Sequence, residues 1–599
     1  MRKVLTVLVL LVLAGAGGAT GAAQTPGPGG ERTISGQVVD GTTGRPVSAA
    51  TVILSLAKME GLPVVTGADG RFVFRVTPQD ASYTLTARKG GYAEGGSGRM
   101  RIGGALQPVQ LNALTPSANV LIRVWKLGAI TGTVTDEAGE PVVGVQVRAL
   151  QRTASGGRRT FAPGGATMTT DDRGVYRVSN LPPGEYIVLT SPPAPSLKPT
   201  VFADIARTGR ANGELAFMFG GTTPFLEAGD AWLALSRGSV TPPPTRNGRL
   251  QIYPPTFHPS ATALAQASTV TLGSGEERAS IDIQLAPAAA ARVAGLLADS
   301  SGPAANAMLR LVPAGFEDMP GDLVASVSGT DASGGFAFAA VPPGQYTLRG
   351  RGRVPGAGVL DTTWVALPVT VSGDDIDGVV ATLSPALRIR ARMQYDGTSP
   401  QTQLAENGRF TTLPFTLESV NGPPENMTVG AASIEQGAIV FGYPPGRYRV
   451  RVMNSPQGWM FKSATLNGVD VSETPFDLTK DVDGLVLTFT DRWSGMSGAV
   501  QGTGADAATV LVFPTDAQLW MSAGPNSRRF KSARGTATRQ FGIGSLPPGD
   551  YYAIAVRDED AADWRDPAAL EALAREAARV TILEGEHRTI DLQVREVKR

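Results

Sequence analysis

The sequence has 599 residues, including 73 glycines and 44 prolines, and its formal net charge is only +1. This charge gives no electrostatic reason to expect a nucleic-acid partner, and the absence of cysteine excludes disulfides, thiolate zinc sites and iron–sulfur clusters. The length predicts several domains, and the glycine and proline content is typical of many short strands joined by turns.

The N-terminal segment has the pattern of a secretory signal. Arg2 and Lys3 precede a short apolar run at residues 4–13, and small residues follow up to Ala23. We therefore predict a signal peptide over residues 1–23, a Pro/Gly linker over 24–31, and an exported protein, periplasmic or extracellular, without a transmembrane segment after cleavage. The alternative is an uncleaved anchor, for which the apolar run is short.

A short motif occurs four times: an apolar residue, Pro-Pro-Gly, one variable residue and tyrosine. We call these motifs the corners, and they comprise Pro182, Pro183, Gly184 and Tyr186; Pro342, Pro343, Gly344 and Tyr346; Pro444, Pro445, Gly446 and Tyr448; and Pro547, Pro548, Gly549 and Tyr551. Pro-Gly suits the centre of a type II turn. Each corner is therefore predicted to join two short strands, with the tyrosine packed just beyond the turn.

The corners belong to longer internal repeats. The spacing from a glycine in an opening strand to the first corner proline is nearly constant, as shown by Gly132 to Pro182, Gly295 to Pro342, and Gly498 to Pro547. A fixed order of elements at constant spacing indicates a repeat. The first copy in the chain has a degenerate corner. The copy that contains the third corner has an opening strand that departs from the pattern.

We predict an all-β fold of about five tandem β-sandwiches, transthyretin-like or immunoglobulin-like in shape, because several short strands in ~100 residues suit such a sandwich. The predicted limits are 32–114, 119–287, 288–384, 385–491 and 492–599. The second sandwich carries an insertion at 192–250. The fifth carries a helix at 566–578, which Asp566 caps and Pro567 begins.

These motifs resemble the carboxypeptidase regulatory-like domain. The shared pattern is I-x-G-x-V-x-D, then G-x-P-V-x-x-A-x-V, then D-x-x-G-x-Y/F, then L-P-P-G-x-Y, and the first three repeats carry most of it. The whole arrangement is similar to multi-domain exported proteins of soil bacteria. The resemblance implies a carbohydrate-binding-like fold, which is an analogy for function only.

The sequence predicts no catalytic residue, no metal and no cofactor. A metallocarboxypeptidase needs two histidines and a glutamate around zinc. The two histidines of this chain, His258 and His587, lie far apart, and neither begins an H-x-x-E motif. The resemblance therefore covers the accessory domain without the catalytic one.

Aromatic and basic residues outside the strand patterns are the candidate ligand contacts. Trp520 precedes the basic pair Arg528 and Arg529, Trp564 precedes the predicted helix, and Trp232 lies in the insertion. Exposed aromatic rings could stack on sugars or anchor a protein partner. Core packing is the alternative for the tryptophans, and a solvated loop is the alternative for the arginines.

From these features we predict an exported, non-catalytic binding or scaffold protein whose partner is a carbohydrate or a cell-envelope protein, bound through the sandwich loops. One alternative is a hydrolase or an accessory subunit, related to peptidases or glycosidases, with a site under the insertion at 192–250. A second alternative is a periplasmic partner of a TonB-dependent transporter.

Overall fold

The computed structural model describes residues 32–56, 59–61, 63–77, 80–104, 106–155, 158–190, 195–208, 225–234, 243, 245–246, 248–316, 326–353, 362–400, 415–420, 433–453, 455–522, 527–535, 538–561 and 564–597. The predicted signal peptide and linker, and much of the insertion, lie outside the described residues.

The chain folds into tandem β-sandwiches, as its alternating strands predict. Five separate hydrophobic cores each come from one stretch of chain: residues 34–124, 130–285, 291–383, 389–489 and 496–592. We call the corresponding bodies sandwiches 1 to 5. In the strand Arg71–Val76 of sandwich 1, every second residue is buried, because successive side chains of a strand point to opposite faces. The division into domains at the limits given above stays a prediction.

Sandwich 1 is one continuous nine-stranded sheet. Its strands are Arg32–Asp40, Thr51–Leu56, Met59–Glu60, Val64–Val65, Arg71–Val76, Ala81–Arg88, Tyr92–Ser97, Val109–Leu111 and Ser117–Lys126. The last strand pairs in parallel with the first, so this sheet extends past residue 114.

Sandwich 2 has two main sheets. Their strands are Gly128–Thr135, Gln146–Ser155, Arg158–Pro163, Met168–Thr169, Val175–Leu181, Gly184–Thr190, Val270–Leu272, Glu277–Arg278 and Ile283–Gln284, and Gln251–Ile252 pairs separately with Ala288–Ala289. The strands of sandwich 3 are Ala291–Asp299, Gly302–Pro303, Met308–Pro313, Ser326–Gly329, Gly335–Val341, Gly344–Arg353, Thr362–Val371, Ile376–Thr382 and Ser384–Pro385.

The strands of sandwich 4 are Leu387–Asp396, Phe415–Ser419, Ser433–Glu435, Ala438–Tyr443, Gly446–Val452, Met460–Leu466, Val469–Asp470, Phe476–Leu478 and Val482–Thr490. Sandwich 5 contains Gly495–Gln501, Ala508–Pro514, Lys531–Arg534, Gln540–Gly544, Gly549–Arg557, Ala578–Ile582, His587–Thr589 and Leu592–Arg595.

One pairing recurs in every sandwich: the opening strand lies parallel to a closing strand. In four of them the opening glycine makes this approach feasible. A Cβ on Gly36, Gly132, Gly295 or Gly498 would come within 1.9–2.2 Å of a backbone oxygen of the closing segment, either in a closing strand or between two of them. Ala391 takes the corresponding place in sandwich 4, opposite Leu485.

At the corners, each tyrosine hydroxyl donates a hydrogen bond to the carbonyl of the first proline, four residues earlier. The predicted type II turn is wrong, because each glycine is the first residue of the outgoing strand. Gly184 and Gly549 have φ of 155° and 149°, far from the ~80° that a type II turn requires. At Gly344 and Gly446 the tyrosine two residues later explains why the position holds a glycine. A Cβ there would lie within 3.2 and 3.0 Å of the tyrosine side chain.

The predicted helix in sandwich 5 spans Pro567–Glu576, and Asp566 caps it by accepting a hydrogen bond from the Ala568 N–H. Leu570 and Leu573, on the inner face of this helix, are buried. Two further α-helices were not predicted, namely Pro199–Thr208 in the insertion and Gln518–Ser522 in sandwich 5. Short 3₁₀ turns span Leu264–Gln266, Ala505–Ala507 and Asp558–Ala561.

Sandwich 1 contacts sandwich 5. The Gln107 side-chain amide donates a hydrogen bond to the Gly535 carbonyl. Arg101 Nε lies 3.8 Å from the carboxylate of Asp558, which is almost fully buried. The first and last sandwiches of the array therefore touch.

Candidate binding site

A cavity of about 210 Å³ opens between sandwiches 4 and 5. We call it the basic cleft, because its charged lining residues are four cations and two carboxylates: Arg449, Arg451, Arg528, Lys531, Glu418 and Glu473. It is smaller than the ~300–1,000 Å³ of typical small-molecule pockets. The cleft therefore suits one ring-sized group of a larger ligand.

One wall is the strand Gly446–Val452, whose sequence alternates arginine with apolar residues. Tyr448 and Val450 point into the core of sandwich 4, so Arg447, Arg449 and Arg451 share the outward face. Arg449 lies opposite Glu418 in the neighbouring strand, whereas Arg451 lies opposite the uncharged Thr416. Arg451 therefore has no acid directly opposite it in that strand.

Arg528 forms part of the opposite wall, and its hydrogen bonds link sandwich 5 to sandwich 4. Its Nε lies 2.6 Å from the Glu473 carboxylate, and its Nη1 donates to the carbonyls of Phe461 and Lys462 at 2.9 and 2.7 Å. The guanidinium also lies 4.6 Å from the centre of the Phe461 ring. These contacts, in a side chain only 19% exposed, give Arg528 a structural part in the wall.

Arg529 braces the corner of sandwich 5. Its Nη1 donates to the Pro548 carbonyl at 3.1 Å and to the Tyr551 hydroxyl at 3.0 Å. Burial raises the pKa of Tyr551 to about 12, although the neighbouring Arg529 and Arg528 cations act in the opposite direction. The guanidinium groups of both predicted ligand-binding arginines are therefore already engaged by protein groups.

A cluster of ion pairs holds the two walls of the cleft in place. Lys462 and Arg492 each contact the carboxylates of Asp396, in sandwich 4, and Glu584, in sandwich 5, at 2.6–2.8 Å. The hydrogen bond from Lys462 is the main cause that lowers the pKa of Asp396. Because Glu584 belongs to the other sandwich, these contacts tie the two bodies together beside the cleft.

Trp493 lines the cleft from the segment that connects the two sandwiches. Its side chain is 41% exposed, and its indole N–H donates to the Gly458 carbonyl at 3.3 Å. The hydrogen bond fixes the orientation of the ring and leaves part of the ring open to solvent. Trp459, which also lines the cavity, is fully buried in the core of sandwich 4.

The structure does not place the other predicted tryptophans at an exposed surface. Trp520 and Trp564 are only 8% and 6% exposed, because they pack with Phe513 and Phe530 in a second core between sheet and helices. Core packing, the alternative that the sequence left open, applies to both. Trp232 is half-buried in the insertion, far along the chain from the cleft, where its ring lies 5.5 and 5.6 Å from those of Phe202 and Phe225.

The described part of the insertion packs on sandwich 3. Its three-stranded sheet comprises Ser196–Leu197, Phe225–Ala228 and Ala231–Ala234. Beneath it lie alanines of sandwich 3, namely Ala294, Ala337, Ala339 and Ala340. Polar contacts join the same two parts, because Lys198 and Thr200 of the insertion both bind the carboxylate of Asp331 in sandwich 3.

Among the described residues, no group of three or more histidine, aspartate or glutamate side chains is arranged to hold a metal ion. The helices in that part of the chain are too short or too polar to cross a bilayer.

Residues 33–113 and 129–212 match the family model of the carboxypeptidase regulatory-like domain. The resemblance inferred from the motifs is thereby confirmed for repeated domains of this type. No curated protein matches the chain.

Solved structures that resemble the chain include the Bacillus anthracis TIE protein, with 13% identity over 74% of this chain and 68% of that one and a TM-score of 0.13. A streptococcal ancillary pilin shows 10% identity over 59% and 100%, with a TM-score of 0.17. The major pilin subunit of Bacillus cereus shows 8% identity over 60% and 100%, with a TM-score of 0.15. Scores this low carry no argument about function.

Proposed function

We propose that this chain, which carries repeated carboxypeptidase regulatory-like domains, is an exported, non-catalytic scaffold that binds saccharide in the basic cleft. The signal-like N-terminal sequence supports export. The repeated sandwiches supply a rigid frame, and the cleft supplies the binding site.

The observation that carries this proposal is the partly exposed ring of Trp493 on the wall of a polar cavity. A fixed aromatic face beside hydrogen-bonding groups suits a sugar ring, which has an apolar face and a rim of hydroxyl groups. The serines Ser455, Ser527 and Ser545 also line the cavity and supply such groups. Because ion pairs hold the two walls, little ordering is required when a ligand binds.

A glycan array probed with the full chain lacking residues 1–23 tests the proposal, followed by calorimetry on the glycans that bind. Trp493→Ala should weaken binding about tenfold, the range seen when a central aromatic contact is removed. Trp493→Phe, which keeps a flat ring, should retain most of the affinity, and Leu114→Ala, at a fully exposed leucine of sandwich 1, should retain all of it.

Failure to bind any glycan would overturn the proposal. Recovery of an envelope protein in a pull-down, with equal yield from wild type and Trp493→Ala, would then favour the cell-envelope protein partner that the sequence also suggests. Turnover of a peptide or glycoside by the wild-type chain would favour the hydrolase alternative.

A further inference from the structure

The cations of the basic cleft fall into two groups. Arg528 is engaged by Glu473 and by two carbonyls, and Arg449 faces Glu418 across the sheet. Lys531 and Arg451 differ, because neither side chain forms a hydrogen bond or an ion pair with the described residues. Both are half-buried at the cavity. Two positive charges that line one small cavity are therefore not paired with an acid among the described residues.

The surroundings of Lys531 make its positive charge energetically costly. Burial, followed by the nearby cations Arg565 and Arg528, lowers the pKa of Lys531. Glu473, an acid that lines the cavity, does not offset this charge, because Arg528 and Arg529 already bind it. A ligand that brings a negative charge would relieve this repulsion and replace part of the lost hydration.

We infer that the basic cleft selects an anionic saccharide, with Lys531 and Arg451 binding the acidic group while the sugar ring lies against Trp493. This inference rests on the proposed function and adds the chemical class of the ligand. Carboxylates and sulfates both present several negative oxygens to a cation, so both groups fit. The cavity volume suits one charged ring of a longer chain.

A saccharide fits these observations better than an acidic peptide. The cleft has few cations left for a run of carboxylates, because the arginines that would extend the patch are paired. Arg447, on the same face of the strand, lies 3.8 Å from Asp477. A single acidic group next to a flat ring matches the two unbalanced cations next to one indole.

Calorimetry with matched ligands tests the inference at ~0.15 M salt, where only nearby charges still interact strongly. The probes are trigalacturonate, its methyl ester, a sulfated galactose oligosaccharide and tetraglutamate. Methyl esterification removes the charge and keeps the sugar rings. The wild-type chain should bind trigalacturonate or the sulfated sugar at least tenfold more tightly than the ester, since a hydrogen bond to a charged group contributes about 1.5–3 kcal/mol.

Lys531→Met keeps the aliphatic stem without the charge and should remove most of this preference, leaving affinity for the ester within twofold of wild type. Arg451→Gln is a second variant with the same expectation, which keeps the test valid if one of the two fails to fold. The controls are Arg447→Gln, on the same strand face but already paired, and Lys480→Met, at an exposed lysine of sandwich 4. Both controls should leave the preference unchanged.

The outcomes are distinguishable. Equal affinity for acid and ester, or a preference that survives both Lys531→Met and Arg451→Gln, overturns the inference and leaves the proposed function intact. Binding of tetraglutamate without any saccharide overturns both. Comparison of the uronate and sulfate probes identifies which anionic group the cleft prefers.

Discussion

The hydroxyl of Tyr346 donates a 2.8 Å hydrogen bond to the carbonyl of Pro342, four residues earlier, and Tyr448 and Tyr551 do the same at 3.0 and 2.6 Å. The ring crosses the intervening glycine on the way, which is why a Cβ at Gly344 would lie 3.2 Å from the hydroxyl oxygen. The repeated Pro-Pro-Gly-x-Tyr motif thus encodes a hydrogen bond from the tyrosine back to the first proline, across the corner. We call this hydrogen bond the tyrosine clasp.

Tyr346→Phe should destabilise sandwich 3 by about 1–2 kcal/mol, because it leaves the Pro342 carbonyl without its donor in a buried position. Hydrogen exchange in the strand Gly344–Arg353 is the suitable measurement, since five separate cores need not unfold together. Tyr92→Phe is the control, because the Tyr92 hydroxyl has no hydrogen-bond partner among the described residues. Equal protection in the two variants would contradict the role of the clasp.

Gly498→Ala should destabilise sandwich 5 by about 3 kcal/mol or more, because the new Cβ would lie 1.9 Å from the Ile590 carbonyl oxygen and would force the parallel strands apart. Gly542→Ala is the matched control on the adjacent strand, where a Cβ meets nothing within 4 Å. Denaturant unfolding of both variants measures the difference. Similar midpoints would show that the close parallel approach is unimportant.

Asp331 should make the attachment of the insertion sensitive to acid. Burial alone would raise its pKa, but hydrogen bonds from Ser333, Thr200 and Gly335, together with the Lys198 ammonium, outweigh that effect and lower the pKa to about 2. A lowered folded-state pKa stabilises the protein above the unfolded value of 3.8, and this contribution of about 2 kcal/mol is lost as the pH falls towards 2.

Unfolding measured between pH 2 and 6 checks this prediction. Asp331→Asn should lower stability at pH 6 and flatten the profile below pH 4. Asp171→Asn, in the corresponding but more exposed turn of sandwich 2, should have a smaller effect. Parallel pH profiles for wild type and Asp331→Asn would count against the prediction.

Leu233→Ala should loosen the insertion from sandwich 3. Leu233 is 1% exposed and packs against Ile252, Ala290 and Ala340, so its truncation should cost about 2–4 kcal/mol. The expected signature is faster hydrogen exchange in the strand Gly335–Val341, which the insertion covers. Leu226→Ala, in the same hairpin but 36% exposed, is the control and should leave exchange there unchanged.

Features set by neighbouring residues could be predicted from the sequence. The corners, the alternating strands and the helix capped by Asp566 depend on local geometry, and all are present. The resemblance of the first two repeats to a known domain was equally visible. The turn type at the corners could not be predicted in this way. The hydrogen bond of the tyrosine, a contact over four residues, decides how the glycine is placed.

The basic cleft could not be predicted because it forms only where two sandwiches pack. It combines Arg451 of sandwich 4 with Lys531 of sandwich 5, and no spacing in the chain indicates that these two residues line the same cavity. One signal was available: arginine at every second position of the strand Gly446–Val452 indicates a charged face. The prediction that Trp520 and Trp564 are exposed was wrong for a related reason. Two helices cover the outer face of sandwich 5, so both side chains are buried in a second core.

The contact of Gln107 with Gly535, and of Arg101 with Asp558, bears on the mechanical use of the array. An array whose first and last sandwiches touch spans a shorter distance than the same sandwiches laid end to end. Tension applied at both ends would first have to break these few polar contacts before the chain could lengthen. These contacts therefore limit the distance between the two ends of the array for as long as they hold.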